Sequence, residues 1–95
     1  PNFSLGMLLL QRAALELARH WAAVEIVEVH HARKKDAPSG SALDTRRRLE
    51  PARPPGAPPI PIHSLRLPGA RAHQELVFGA PGETLTLRHD TSSDE

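Results

Sequence analysis

Residues 28–43, EVHHARKKDAPSGSAL, hold a concentration of side chains whose types and spacing are suited to chemistry. His30 and His31 are followed by three cationic residues, an aspartate, a Pro-Ser-Gly turn and the predicted start of a helix. Histidine can carry a proton near neutral pH. A helix N-terminus presents unpaired N–H groups and partial positive charge to an anion. The stretch therefore predicts a site for a carboxylate or a phosphate, with a proton carrier beside it.

Several groups in this stretch have expected roles in binding. Gly40 lets the backbone approach a ligand closely, and Ser41 adds a hydroxyl donor. A cationic run such as residues 33–35 is by itself typical of a solvated loop. Its position between histidines and a helix N-terminus is what favours a binding site. Glu28 precedes His30 by two residues on the same strand face, so we expect it to favour the protonated imidazole.

The histidines do not predict a metal centre. Neighbouring residues of a strand point to opposite faces, so His30 and His31 cannot chelate one ion in the usual way. The chain has no cysteine, and no tight acidic cluster completes a zinc set. The lack of cysteine also excludes disulfides and thiolate nucleophiles. His63, His73 and His89 are scattered, and we expect them to be structural or exposed.

Composition restricts the class of protein. The 95 residues suffice for one small domain, 1–95, and the net charge of +1 provides no general field for nucleic acid. A nucleic-acid binder using residues 33–35 and 46–48 is a weaker hypothesis because aromatic residues make up only 3% of the chain. No apolar run reaches the roughly 18 residues of a membrane span. The first residues lack the pattern of a signal peptide, so we expect a cytoplasmic protein.

A helix is predicted at the start of the chain, where apolar residues recur at three- and four-residue steps. These residues are Phe3, Met7, Leu10, Ala14, Leu17 and Trp21. Asn2 or Ser4 is the expected cap. Three more leucines, Leu8, Leu9 and Leu15, widen the apolar stripe and indicate burial on more than one side.

A strand over residues 23–31 and a short helix over residues 39–50, capped by Ser39 or Ser41, are expected next. Residues 51–61 contain six prolines and predict an extended surface connection. Three strands follow, beginning at Ile62, Ala72 and Glu83, with turns at residues 68–69 and 81–82.

This order of elements predicts a two-layer α+β fold. We expect a mixed, mostly antiparallel sheet of about four strands with two helices on one face. The first strand is expected to be joined to the next by a crossover and the others by hairpins. A partner subunit is expected to bury the other face, because Val27, Val29, Leu85 and Leu87 offer more apolar surface than one small layer hides.

The stretch 28–43 resembles the signature of the dihydrodipicolinate reductase family, approximately E-x-H-H-x-x-K-x-D-A-P-S-G-T-A. The opening PNFSLGMLLL resembles the start of the family's second domain, and residues 63–93 resemble its closing strands. Only the proline-rich connection falls outside the resemblance. Ser41 stands where the family usually has threonine, which keeps the hydroxyl, and Ala32 where a basic residue is common.

The resemblance implies a reductase that transfers a hydride from NADPH or NADH to hydroxytetrahydrodipicolinate, on the path to diaminopimelate and lysine. It implies that a separate Rossmann domain, absent from this chain, holds most of the cofactor. The domain seen here would bind the substrate and build a homotetramer, and it would be inactive alone. The alternative is a non-catalytic oligomerisation module that kept the fold and lost the chemistry.

The resemblance also implies roles for individual residues. His30 matches the acid/base histidine and Lys34 the proton-donor lysine, which also contacts the substrate. His31 matches a second substrate contact. Gly40 and Ser41 match the Gly-Thr pair that binds a substrate carboxylate. Asn2 and Phe3 match the hinge stretch whose backbone meets the cofactor.

Overall fold

The computed structural model describes residues 4–92, which form two α-helices, a short 3-10 helix and four strands. In chain order these are α1 (Leu5–His20), β1 (Ala23–His31), α2 (Gly40–Leu49), the 3-10 helix (Glu50–Ala52), β2 (Ile62–Leu67), β3 (Ala72–Ala80) and β4 (Glu83–Thr91). Every predicted helix and strand is confirmed. Within this described part, none of the helices is long and apolar enough to cross a membrane.

The four strands form one mixed sheet in the order β2-β1-β3-β4. The pairing of β1 with β2 is parallel, and the other two pairings are antiparallel, as predicted. The crossover from β1 through α2 to β2 and the hairpin between β3 and β4 are also confirmed. The predicted hairpin between β2 and β3 is wrong, because these strands flank β1 on opposite sides. Residues 68–71 therefore cross the end of β1, in a turn where Gly69 has a φ of +87°.

Both helices pack on one face of the sheet. Ala14 and Ala18 are fully buried, and such small side chains let α1 lie close to the core residues of the strands, which include Ile26, Leu76 and Phe78. Ser4 begins α1 as its cap, since its Oγ accepts a hydrogen bond from the Met7 N–H at 3.2 Å. Asn2 and Phe3, the other residues expected here, lie outside the described residues.

Part of the leucine stripe of α1 is not covered by the rest of residues 4–92. Leu5, Leu8 and Leu9 are exposed. With Leu15 and two arginines, they line a groove of about 500 Å³ between α1 and the end of α2. The wide stripe predicted from the sequence therefore lies only partly in the core.

The outer face of the sheet, turned away from the helices, is apolar, but part of its apolar surface comes from residues other than those predicted. Directly paired residues share a face, and Leu85 and Leu87 pair with Phe78 and Leu76 of the core. Leu85 and Leu87 therefore lie on the helix side, and their assignment to one surface with Val27 and Val29 was wrong. The apolar side chains of the outer face include Val27, Val29, Leu65, Leu67 and Val77.

The proline-rich connection is not wholly a surface segment, which corrects the prediction. Ile60 is only 1% exposed and belongs to the core. Arg53 is buried and donates a hydrogen bond to the Ala22 carbonyl at 2.9 Å. Proline content indicates an extended backbone, but it does not determine which single side chain packs inward.

Candidate functional site

The Glu28 carboxylate is fully buried at the centre of a hydrogen-bond network. Its Oε1 accepts from His30 Nδ1 at 2.7 Å and from Arg66 Nη1 at 2.9 Å. Its Oε2 accepts from the Ser39 N–H at 2.9 Å, from Ser64 Oγ at 2.6 Å and from Arg66 Nη2 at 2.9 Å. One carboxylate thus joins β1, the residue before α2, and β2.

The parallel pairing of β1 and β2 explains why these side chains meet. The register places Glu28 opposite Ser64 and His30 opposite Arg66. Side chains at alternate positions share a face, so all four lie on the helix side of the sheet. The loop after β1 and the start of α2 lie beyond the same carboxyl ends of the two parallel strands. This is the edge at which open α/β sheets commonly bind ligands.

The network keeps Glu28 ionised. Burial by itself would raise the pKa of this carboxyl group, but the hydrogen bonds from Arg66, Ser64, the Ser39 N–H and His30 outweigh it and lower the pKa from 4.5 to about 2. An ionised carboxylate can only accept hydrogen bonds. His30 must therefore carry a hydrogen on Nδ1, and its Nε2 is the nitrogen left for a ligand.

The loop that carries Lys34 is tied to the same network through Arg66. Arg66 Nη2 donates to the Asp36 carbonyl at 2.7 Å, and Lys34 Nζ lies 3.1 Å from Asp36 Oδ1. The hydrogen bond from Lys34 is the main cause that lowers the pKa of Asp36. The peptide bond between Ala37 and Pro38 is cis. His30 is thus connected to Lys34 indirectly, through Glu28, Arg66 and Asp36 in turn. No single contact joins the two predicted proton donors.

The N-terminus of α2 is open to a ligand. Ser39 is the cap, since its Oγ accepts from the Ala42 N–H at 3.2 Å, and this leaves Ser41 in the first turn. The first N–H groups of a helix have no intrahelical acceptor, which applies here to Gly40 and Ser41. A Cβ added at Gly40 would meet nothing within 4 Å. The backbone at Gly40 therefore borders free space, and the half-buried Ser41 hydroxyl beside it lies 3.4 Å from Ser39 Oγ.

The structure does not bring every predicted site residue to this network. His31 points to the outer side of β1, and its Nδ1 accepts from the Arg33 N–H at 3.1 Å. Its contact with substrate stays a prediction. Asn2 and Phe3 lie outside the described residues, so their contact with a cofactor also stays a prediction.

Three participants were not assigned a role from the sequence: Ser64, Arg66 and Asp36. Ser64 and Arg66 alternate with Leu65 and Leu67 along β2. This alternation signals a strand with one polar face, but it does not show which strand that face meets. Asp36 lies within the signature itself, and only its contacts with Lys34 and Arg66 reveal its part.

Other charged residues are used within the fold. Arg47 and Arg48 pair with Asp44, and Arg46 Nη1 lies 3.4 Å from the Ile60 carbonyl. These contacts reduce the support for a nucleic-acid surface on α2. Among residues 4–92, no three His, Asp or Glu side chains are grouped so that they could hold a metal ion.

Comparisons with known proteins agree on one family. The family model described as dihydrodipicolinate reductase, C-terminus, matches residues 5–95. The 4-hydroxy-tetrahydrodipicolinate reductase of Symbiobacterium thermophilum is 53% identical over 95 residues, covering 99% of this chain and 37% of the relative. That of Thermosynechococcus vestitus is 50% identical over 111 residues, covering 97% of this chain and 40% of the relative.

A solved structure agrees as well. Dipicolinate-bound dihydrodipicolinate reductase from Paenisporosarcina sp. TG-14 is similar to this chain with a TM-score of 0.90 and 39% identity. The similarity covers 99% of this chain and 42% of that protein. The chain thus spans well under half of the length of the relatives that it matches.

Proposed function

This chain belongs to the family of dihydrodipicolinate reductase C-terminal domains, and on that premise we propose that it is the substrate-binding domain of an NAD(P)-dependent reductase. The substrate is hydroxytetrahydrodipicolinate, a cyclic dicarboxylate on the path to diaminopimelate and lysine, and the reductase is a cytoplasmic enzyme. One observation carries the proposal. The open N-terminus of α2 at Gly40 and Ser41 shares a network with the proton carriers His30 and Lys34. The dipicolinate in the similar Paenisporosarcina structure supports a dicarboxylate ligand.

Each carboxylate of the substrate has a proposed partner. The first lies at the N-terminus of α2, where it accepts hydrogen bonds from backbone N–H groups and the Ser41 hydroxyl. Lys34 balances the remaining negative charge, and the contribution expected of His31 stays a prediction because its ring lies on the outer side of β1. Because Lys34 is paired with Asp36, a substrate carboxylate must share Lys34 with Asp36 or displace it.

The proton required by the reduction comes from His30 or Lys34. His30 is the better placed of the two, since its Nδ1–H donates to Glu28 and its Nε2 faces the ligand. The proton leaves Nε2 of the imidazolium form, which becomes the neutral ring with hydrogen on Nδ1. Lys34 has its ammonium group at the loop, where Asp36 holds it. Loss of such a general acid typically lowers the rate by about 10²–10⁴-fold.

The residues described do not fit a whole dinucleotide. The β1–α2–β2 unit has parallel strands, but its loop carries Pro38-Ser39-Gly40 and no G-x-G-x-x-G loop for a pyrophosphate. NADPH or NADH, which supplies the hydride, would be held mainly by the part of the relatives that this chain does not span. From this chain, the backbone of Asn2 and Phe3 would contact the cofactor. The isolated chain should therefore bind the cofactor weakly and should not turn over.

The outer face of the sheet is the proposed subunit interface of a homotetramer. Leu65 and Leu67 are 38% and 48% exposed, and half-buried Val27 and Val77 lie on the same face. Light scattering at micromolar concentration should show an oligomer, and a purely monomeric species would contradict the assignment. The same face would serve the alternative, a non-catalytic oligomerisation module, so ligand binding must separate the two functions.

Titration of dipicolinate into the ¹⁵N-labelled chain tests the binding site directly. The amide resonances of Gly40 and Ser41 should shift, and Gly40→Ala should weaken binding without unfolding the chain, because the added methyl occupies the free space at α2. Gly79→Ala is the matched control, since its methyl would make only ordinary contact with Thr84 at 4.0 Å. Absence of shifts at α2 would favour the non-catalytic module.

Activity can be tested in a chimera in which this chain replaces the matching region of the Symbiobacterium thermophilum reductase. The chimera should reduce substrate, and His30→Gln or Lys34→Gln should lower kcat by about 10²–10⁴-fold. Ser41→Ala should mainly raise the substrate KM, because it removes binding that exists before the chemical step. If His30→Gln kept kcat within about twofold of the parent, His30 would not be the general acid.

A further inference from the structure

Glu28 is a buried charged group for which hydride and proton transfer have no direct use. We infer that Glu28 is a positioning residue, whose carboxylate orients the His30 ring through Nδ1 and holds the start of α2 through the Ser39 N–H. One buried group would then set the spacing between the proton donor and the anion-binding turn. The inference rests on the proposed function, because it names a residue that serves the same site.

The contacts of Glu28 exceed what a core ion pair requires. Both of its oxygens are bonded, and the donors come from β1, from the residue before α2 and from β2. Replacing a buried ion pair with apolar residues of similar volume is often neutral or stabilising. An apolar pair at Glu28 and Arg66 could fill the same space. It could not bond the His30 ring and the Ser39 N–H together.

The direction of the hydrogen bond matters more here than the net charge. Arg66 lies opposite His30 on β2 and bonds both oxygens of Glu28, so its positive charge offsets much of the carboxylate's field. The loop adds a second compensated pair, Lys34 with Asp36. On the β3 side, His30 pairs with the uncharged Ala72. What remains specific to His30 is the 2.7 Å bond at Nδ1, which selects one tautomer of the neutral ring.

The tautomer of His30 tests the first half of the inference in the ligand-free chain. Long-range ¹H–¹⁵N correlation spectra at a pH where the ring is neutral should show hydrogen on Nδ1. In the variant Glu28→Gln, the His30 ring should be a mixture of its two neutral tautomers. Glu16→Gln is the matched control, because Glu16 pairs with His20 on the exposed side of α1 at 3.3 Å. Hydrogen on Nε2 in the parent chain, or an unchanged tautomer in Glu28→Gln, would overturn the inference.

Kinetics of the chimera test the second half. Glu28→Gln should lower kcat per folded molecule by about 10²-fold, the cost of a misplaced reacting group, with a smaller change in the substrate KM. A purely structural role would reduce only the folded fraction measured by circular dichroism. An unchanged kcat per folded molecule would therefore overturn the inference.

Two further outcomes keep the tests separate. If Glu28→Gln does not fold, Glu28→Asp retains the charge but withdraws it by one methylene, and it should produce the same mixture of tautomers and the same loss in kcat. A folded parent chimera without activity would overturn the proposed function instead. The tautomer in the free chain would still decide whether Glu28 orients His30.

Discussion

Strand β1 carries two glutamates that contact histidines, one on each face of the sheet. Glu28 contacts His30 at 2.7 Å on the helix side, and Glu25 contacts His63 at 2.6 Å on the outer side. The side chains of the first pair are 0% and 20% exposed, whereas those of the second are 59% and 52% exposed. The two distances are nearly equal, so distance cannot tell which pair matters to the protein.

Surroundings distinguish the two pairs. Glu28 also accepts from Arg66, Ser64 and the Ser39 N–H, while in the described part of the chain Glu25 has only His63. Exposed ion pairs contribute about 0–1 kcal/mol, because water and salt screen them. Breaking a buried pair leaves an uncompensated charge and costs about 3–5 kcal/mol. The comparison teaches that a short Glu–His contact has consequences only where solvent cannot replace it.

Removal of Arg66 should produce the largest effect on stability. Arg66→Met should lower the free energy of unfolding by about 3–5 kcal/mol in urea titrations, since Glu28 would remain buried without its main partner. The double variant Glu28→Gln with Arg66→Met should lose less than Arg66→Met alone, because no lone charge is left. Equal or greater loss in the double variant would show that the two groups are not coupled.

The second largest effect on stability should come from acid, which weakens the buried network around Glu28. The folded-state pKa of Glu28 is lowered from 4.5 to about 2, so its contribution is complete above pH 4.5 and is lost as the pH falls towards 2. The shift corresponds to about 3 kcal/mol at neutral pH. Urea titrations from pH 6 to pH 2 should show this loss in the parent chain.

The variant Glu28→Gln isolates the contribution of this one group. Asp44 also has a lowered pKa, since hydrogen bonds from Arg48 and Arg47 outweigh its desolvation, and it adds acid sensitivity of its own. The variant should keep that part and lose the part due to Glu28. Parallel stability curves for the parent and the variant across this pH range would mean that Glu28 is not held ionised by the network.

The exposed pair should give the smallest effect. Glu25→Gln should change the free energy of unfolding by less than about 0.5 kcal/mol, as is usual for surface substitutions, when measured at concentrations where scattering shows single chains. His63→Gln should behave in the same way. A loss comparable to that of Arg66→Met would remove the distinction between the two faces of β1.

Local patterns in the sequence were enough to predict the elements and most of the site. The strand at residues 23–31 and the α2 helix follow from periodicity and capping, which depend on neighbours a few residues away. The signature carrying His30, Lys34, Gly40 and Ser41 is continuous in the chain. The strand alternation also placed Glu28 and His30 on one face, as the structure has them.

Tertiary structure alone decided which distant residues complete the site. The insertion of β1 between β2 and β3 brings Ser64 and Arg66 to Glu28 and replaces one predicted hairpin with a connection across the sheet. The pairing of β4 with β3 places Leu85 and Leu87 on the helix side. Ile60 also enters the core from a proline-rich segment, because the space that it fills exists only after the helices have packed on the sheet. Propensity and periodicity act over a few residues. Strand order is set by the burial of whole faces, and this depends on contacts between residues far apart in the chain.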